Sequence, residues 1–234
     1  MQCCCGSQKD LSQCCGLYLK GILLPQTPEQ LMRSRFSAYC LQQIDFIFQT
    51  YYPSQQASNQ KQEIASFANN SHFLDLTVLS SSSHFQLPTA KQTATSINLS
   101  EQTGYVEFLV SYLHAGKVHQ FSEKSRFIPL LAPKLTVDAA QITLLQNRLH
   151  SSEVNTAPES RSIAGLHEQP LAFSSSTIKD SEMAEQMYWQ WRYVDGELKN
   201  FPSKQLGRND RCPCGSGLKF KQCHDHKIAG QSTD

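Results

Sequence analysis

The sequence predicts an α+β domain flanked at each end by a small metal-binding module, and three observations point there. Helical periodicity comes early in the chain and strand alternation follows it; eight of the nine cysteines crowd into the two ends; and one cysteine spacing occurs in both crowds. A length of 234 residues suits one core of ordinary size with small attachments. With 39% apolar residues, 9% aromatics and a formal charge of +1, the chain is neither a disordered tail nor a basic nucleic-acid arm. No apolar run approaches the roughly 18 to 20 residues that cross a bilayer, so a soluble cytoplasmic protein without membrane contact is expected.

The terminal modules come first in the chain's logic. One end reads Cys3-Cys4-Cys5-Gly6-Ser7 and then Cys14-Cys15; the other reads Cys212-Pro213-Cys214-Gly215-Ser216 and then Cys223-His224. The spacing C-x-C-G-S-x6-C-(C/H) is identical, with an offset of 209 positions. Four soft or imidazole ligands in two close pairs suit tetrahedral Zn²⁺, which takes sulfur at about 2.3 Å. The Gly-Ser step lets the chain turn back with its amides facing the thiolates. Cys3, Cys5, Cys14 and Cys15 are therefore expected to hold one Zn²⁺, and Cys212, Cys214, Cys223 and His224 a second, leaving Cys4 and Cys40 over. Disulfides compete for these residues, but sequence neighbours rarely pair, the cysteine total is odd, and no secretory signal precedes the first cluster. Palmitoylation of Cys3 to Cys5 competes too; Gln2 stands where myristoylation needs glycine, and no polybasic flank follows.

Between the modules, Thr27-Pro28-Glu29 supplies an N-cap, a first-turn proline and an acidic residue, predicting a helix over 28–48. Met32, Phe36, Tyr39 and Cys40 share one face of it, Arg35 falls on that same face, and Arg33 lies at its edge. Strands are predicted over 73–80, over 105–113 with Val106, Phe108, Val110 and Tyr112 on one side, and over 118–128 with Phe121, Glu123, Ser125 and Phe127 on one side. A last strand over 188–195 aligns Trp189, Trp191 and Tyr193 ahead of an Asp195-Gly196 turn. Residues 132–187, rich in Ser, Thr, Gln and Ala, look like an insertion between adjacent strands, with a helix possible over 136–149 and a loop over 150–181. The expected division is thus 1–21, 22–200 and 204–227.

Arg35 and Glu123 both point inward, and an inward charge needs a partner. The expectation is a buried Arg35–Glu123 ion pair fixing helix to sheet, so that Glu123→Gln would strand the arginine. The alternative is a pocket shared with Arg33, Tyr39 and Trp191. No Ser-His-Asp order, phosphate loop or open metal site is evident in the sequence.

The stretch Gly207-Arg208-Asn209-Asp210-Arg211-Cys212-Pro213-Cys214-Gly215-Ser216-Gly217-Leu218-Lys219-Phe220-Lys221-Gln222-Cys223-His224 resembles the SEC-C zinc motif named from the SecA translocation ATPase. It departs at Arg211, where proline is usual, and at Leu218, where lysine is frequent. The N-terminal copy has Cys4 in the proline position and Leu11 where Phe220 stands, with its ligands in register. The run Pro28-Glu29-Gln30-Leu31-Met32-Arg33-Ser34-Arg35-Phe36-Ser37-Ala38-Tyr39, with Val106-Glu107-Phe108, Glu123-Lys124-Ser125-Arg126-Phe127 and Trp191-Arg192-Tyr193-Val194-Asp195-Gly196, is similar in order to the bacterial YchJ family. That resemblance implies a cone-shaped, nuclear-transport-factor-two-like domain between SEC-C motifs.

Charge separates the two modules. Residues 204–227 hold Lys204, Arg208, Arg211, Lys219, Lys221 and Lys227 against Asp210 and Asp225, and a three-thiolate zinc centre subtracts only one charge. Arg208, Arg211, Lys219 and Lys221, with an exposed Phe220 among them, form a candidate polyanion-binding face. The N-terminal module sets Lys9 and Lys20 against Asp10 and a doubly negative four-thiolate centre, a poor match for nucleic acid. In SecA the SEC-C motif engages SecB and the ribosome, so the resemblance implies a protein or ribosome/RNA partner here. The expected function is a two-zinc, non-enzymatic interaction protein; the alternative is a small-molecule enzyme or carrier using the central pocket.

Overall fold

A computed structural model describes residues 1–58, 60–83, 102–133, 187–214 and 216–223. All but the edges of the insertion expected at 132–187, the helix expected within it, and His224 lie outside the described residues. A 3₁₀ turn at Leu11–Gln13 precedes α1 (Cys15–Leu19), followed by α2 (Pro28–Cys40), α3 (Ile44–Gln49), α4 (Pro53–Gln56) and α5 (Lys61–Asn70). Then come β1 (Ser71–Ser83), β2 (Gly104–His114), β3 (Lys117–Pro133), β4 (Met187–Asn200), β5 (Lys204–Gln205) and α6 (Phe220–Cys223).

Thr27 caps α2 as its sequence predicts, accepting from the Gln30 amide at 3.1 Å. The single helix expected over 28–48 is instead two helices. After Cys40 the chain passes through Gln42 at φ +56, and the Gln43 amide reaches back to the Ala38 carbonyl at 2.8 Å, closing the end of α2 before α3 begins. Glutamine is an uncommon residue for that left-handed position, which is why the sequence gives no warning of the break.

The four long strands form an antiparallel sheet in the order β1-β2-β3-β4, and β5 pairs with β3 at Lys117–Val118. β2 and β3 are joined by a two-residue turn, Ala115 at φ +47 and Gly116 at φ +75, whose twist matches that of the strands. The alternation expected on β2 holds: Val106, Phe108 and Val110 are buried while Tyr105 is exposed. The turn expected at Asp195-Gly196 does not form, because β4 runs straight through to Asn200 with a one-residue bulge at Val194. Asp195 there pairs across the strands with Arg126, its Oδ1 accepting from Nε at 2.9 Å, and Gly196 leaves room for the Glu123 side chain beside it.

Helices α2 and α5 cover one face of the sheet. The main core joins Leu31, Met32, Phe36 and Ile47 to Val106, Phe108, Phe127 and Trp191, and it also takes in Cys3, Cys5, Leu11, Cys15 and Leu19. The N-terminal module is therefore part of the main core. The C-terminal module has a small core of its own, Leu206, Cys212 and Phe220 against Leu113 of β2. Two contacts close the sheet onto the helices: Trp191 Nε1 donates to the Gln26 carbonyl at 3.0 Å, and the Thr50–Tyr52 backbone bonds to both sides of Tyr193 at 2.9 and 2.7 Å.

Because Gln42 already occupies a left-handed conformation, Gln42→Gly is expected to raise stability by about 0.5 to 1 kcal/mol in urea unfolding. A continuous helix across 28–48 would instead be destabilised by that glycine.

Candidate metal centres and central cavity

The sulfurs of Cys3, Cys5, Cys14 and Cys15 all lie within 4.8 Å of one another. Cys5 to Cys14 is 3.6 Å and Cys14 to Cys15 is 3.9 Å, the spacing that four sulfurs about 2.3 Å from a shared ion adopt. Gly6 makes the turn at φ +77, Ser7 Oγ lies 3.1 Å from Cys14 Sγ, and the Cys3 amide bonds to the Lys9 carbonyl at 2.8 Å. Contacts with Cys15, Cys4 and Cys5 hold the Cys3 thiol far below its ordinary range, whereas Cys3, Cys5 and burial push Cys15 far above it. Four packed sulfurs that cannot all ionise together are the donor set that a soft cation neutralises. Cys4, left out of the set, is pushed up by hydrogen bonds with Cys3 and then Cys40, the other spare cysteine.

The cluster is held from α2. Arg33, placed at the helix edge by the sequence, donates Nη1 to the Cys5 carbonyl at 2.6 Å and Nε to Glu29 at 2.8 Å. Buried Ser37 lies with its Oγ 3.4 Å from Cys3 Sγ. From the other side the Leu76 carbonyl of β1 approaches Gly6 so closely that a Cβ there would lie 2.8 Å from it.

At the C-terminal end, the sulfurs of Cys212, Cys214 and Cys223 likewise lie within 4.8 Å of one another. The offset of the sequence repeat carries over into geometry. The Cys212 amide bonds to the Leu218 carbonyl at 2.8 Å, Ser216 Oγ lies 3.3 Å from Cys223 Sγ, and Gly217, like Gln8, has a left-handed φ. Bridges Gln2–Asp10 and Arg211–Lys219 correspond too. Burial pushes the Cys212 thiol up to about 12; burial also opposes ionisation of Cys214, but hydrogen bonds with Ser216, Cys212 and Cys223 bring it down to about 7. Arg208, Arg211, Lys219 and Lys221 are exposed. Phe220 is not: at 3% exposure it fills the module's core, the place Leu11 takes in the other copy, so the exposed stacking ring expected from the sequence is corrected. An apolar ring contributes more by filling a small module's core than by meeting water, about 1.5 to 3 kcal/mol.

A third feature lies between α2, α5 and the sheet, a cavity of about 300 Å³. Arg35, Tyr39 and Glu123 line it; Arg33 and Trp191 do not, being engaged by Cys5 and Gln26. Among the described residues Arg35 and Glu123 make no direct ion pair. The Arg35 guanidinium lies between the Tyr51 and Tyr193 rings, 4.4 and 4.8 Å from their centroids, and donates Nη1 to the Ile47 carbonyl and Thr50 Oγ1 at 2.8 and 2.6 Å. Glu123 Oε1 accepts from Ser125 at 2.5 Å and from the Tyr193 hydroxyl at 2.9 Å. Tyr193 thus stands between the charges, its ring on one and its hydroxyl on the other; burial and then Glu123 push its hydroxyl pKa up. Sequence reasoning missed Thr50 and Tyr51, whose only signal was their place just after α3.

These features define an NTF2-like domain joined to two cysteine clusters that could each hold a metal ion. The family model described as "YchJ, middle NTF2-like domain" matches residues 27–130, and the SEC-C motif matches residues 208–224. The chain belongs to the UPF0225 family: a UPF0225 protein of Vibrio cholerae is 30% identical over 224 residues, 95% of this chain and 99% of that one. A second, from Enterobacter sp., is 28% identical over 221 residues, 94% and 95% of the two chains. Among solved structures, a SEC-C motif-containing protein from Psychrobacter arcticus is similar at 19% identity over 95% of this chain and 94% of that chain, with a TM-score of 0.48.

Two outcomes follow from this geometry. Metal capture must displace the protons held by thiols such as Cys212, so affinity at the C-terminal site is expected to fall about tenfold, for each proton displaced, with every unit by which the pH is lowered, read by competition with a chromophoric chelator. Glu123→Gln keeps an acceptor for Tyr193 and leaves no stranded arginine, so it costs under about 1 kcal/mol, while Thr50→Val, which removes a partner of Arg35, costs about 1 to 3 kcal/mol in urea unfolding.

Proposed function

We propose that this is a cytoplasmic, zinc-binding, non-enzymatic interaction protein whose C-terminal module contacts a polyanionic surface, with ribosomal RNA the first candidate. Both cysteine clusters take Zn²⁺ in this reading, the N-terminal one as a second SEC-C-like centre and the C-terminal one completed by His224. Thiolate-rich, closed tetrahedral sets favour Zn²⁺ in structural roles.

The observation that carries the reading is what differs between two copies of one scaffold. The N-terminal copy is bonded to α2 and β1, so its surface is used inside the molecule. The C-terminal copy touches the domain through Leu113 and keeps its cations outward. At corresponding positions Gln2 becomes Arg211, Asp10 becomes Lys219 and Ser12 becomes Lys221, so positive charge has been written onto an unchanged framework. The buried Phe220 removes base stacking from the contact and leaves charge to do the binding.

The test is cosedimentation of the zinc-loaded protein with ribosomes across salt. Four neutralised phosphates predict a loss of affinity of about 10²-fold between 50 and 200 mM salt. The triple variant Arg211→Gln, Lys219→Asp, Lys221→Gln, which keeps every cysteine, should abolish the association with zinc content unchanged. Binding that survives both changes refutes the assignment; capture of an acidic protein after RNase treatment, lost in the same variant, moves the partner from RNA to protein.

A further inference from the structure

The cavity between α2, α5 and the sheet has polar chemistry that the fold leaves unused. Arg35 is 7% exposed, yet both its hydrogen bonds come from Nη1, and Nε and Nη2 donate to no acceptor among the described residues. Glu123 uses Oε1 for Ser125 and Tyr193, and Oε2 accepts nothing among the described residues. A guanidinium offers donors only and a carboxylate acceptors only, so the two ask for opposite partners. Neither set of atoms is sealed away as a buried unpartnered group, so the spare donors and the spare acceptor remain open to a ligand in the cavity.

The walls are flat rings. Phe73 lies 5.3 Å from Tyr39 and 6.0 Å from Tyr112, the latter stacked, and Phe36 and Phe67 meet it edge-on at 5.7 and 5.8 Å. A volume of about 300 Å³ is the share of roughly ten waters in the liquid, room for a one- or two-ring molecule. Leu198, exposed at 55%, also lines the cavity and so sits at its mouth.

We propose that this cavity is a binding site for a small uncharged aromatic compound bearing one hydrogen-bond acceptor and one donor, an aromatic lactam or carboxamide. The acceptor meets Arg35, the donor meets Glu123, and the ring slides among Tyr39, Phe73 and Tyr112. Formal charge decides against an ionised ligand: a carboxylate drawn to Arg35 meets Glu123, and an ammonium drawn to Glu123 meets Arg35. The site is independent of the zinc-module reading, since none of its lining residues belongs to either cysteine module.

The experiment titrates the zinc-loaded full chain with three probes of one shape, isoquinolin-1-one, its N-methyl derivative and 1-naphthoate, read by saturation-transfer NMR. Saturable binding of the lactam is expected, with each of the other two weaker by about tenfold, the effect of one lost hydrogen bond in a buried site. Leu198→Trp, a change at an exposed position, should weaken lactam binding at least tenfold by covering the mouth, and Glu123→Gln should reduce the preference over the N-methyl compound. No saturable lactam binding at millimolar concentration, a preference below about threefold over both comparison probes, or binding unaltered by Leu198→Trp in a folded variant overturns the proposal.

Discussion

The Cys5 carbonyl accepts from Arg33 at 2.6 Å, and that bond connects the cysteine module to the rest of the protein. Arg33 is itself aligned by Glu29 one turn back on α2, so the helix presents a fixed donor to a fixed acceptor in the sulfur loop. Ser37, a turn further along, meets Cys3, and the β1 backbone closes on Gly6 from the opposite side. The module is thereby wedged between helix and sheet, and its sulfurs become part of the wall against which Leu31 and Met32 pack. A metal ion bound there would stabilise the whole domain, because the free energy of closing the sulfur shell is shared with the core.

The position of α2 has a second effect on its other flank. Arg35, with Arg192, is a charge buried among the described residues, and it is held by rings, a hydroxyl and a carbonyl in place of a carboxylate. Tyr193 serves Arg35 with its face and Glu123 with its hydroxyl, so one phenol takes the role expected of a direct ion pair. That arrangement holds the two charges apart and preserves an open space where a closed salt bridge would have filled it.

Much of this was legible in residues. The repeated C-x-C-G-S spacing located both sulfur clusters, because ligand geometry constrains spacing tightly and tolerates little drift. The alternation of Val106, Phe108 and Val110 located the inner face of β2, and Thr27-Pro28 located the start of α2. What escaped was tertiary in origin. Gln42 ends a helix in a conformation its type rarely adopts, Asp195-Gly196 sits in a strand because Arg126 and Glu123 lie across from it, and Phe220 is buried because a small module has little else to fill its centre. In each case the surrounding fold overrode a sound local preference.

The hydrogen bond from Trp191 to Gln26 joins positions 165 residues apart, and that separation orders events during translation. At about 5 to 20 residues per second, roughly ten to thirty seconds pass between the emergence of α2 and that of the strand that closes over it. Over that interval the inner faces of β2 and β3 lack their last neighbour, a long-range pairing of the kind that slows folding and exposes strand edges. The four N-terminal cysteines and α2, which they meet through Cys3 and Cys5, are all made before that interval begins. The nascent chain would then hold α2 against the cysteine cluster while the remainder waits for its final strand.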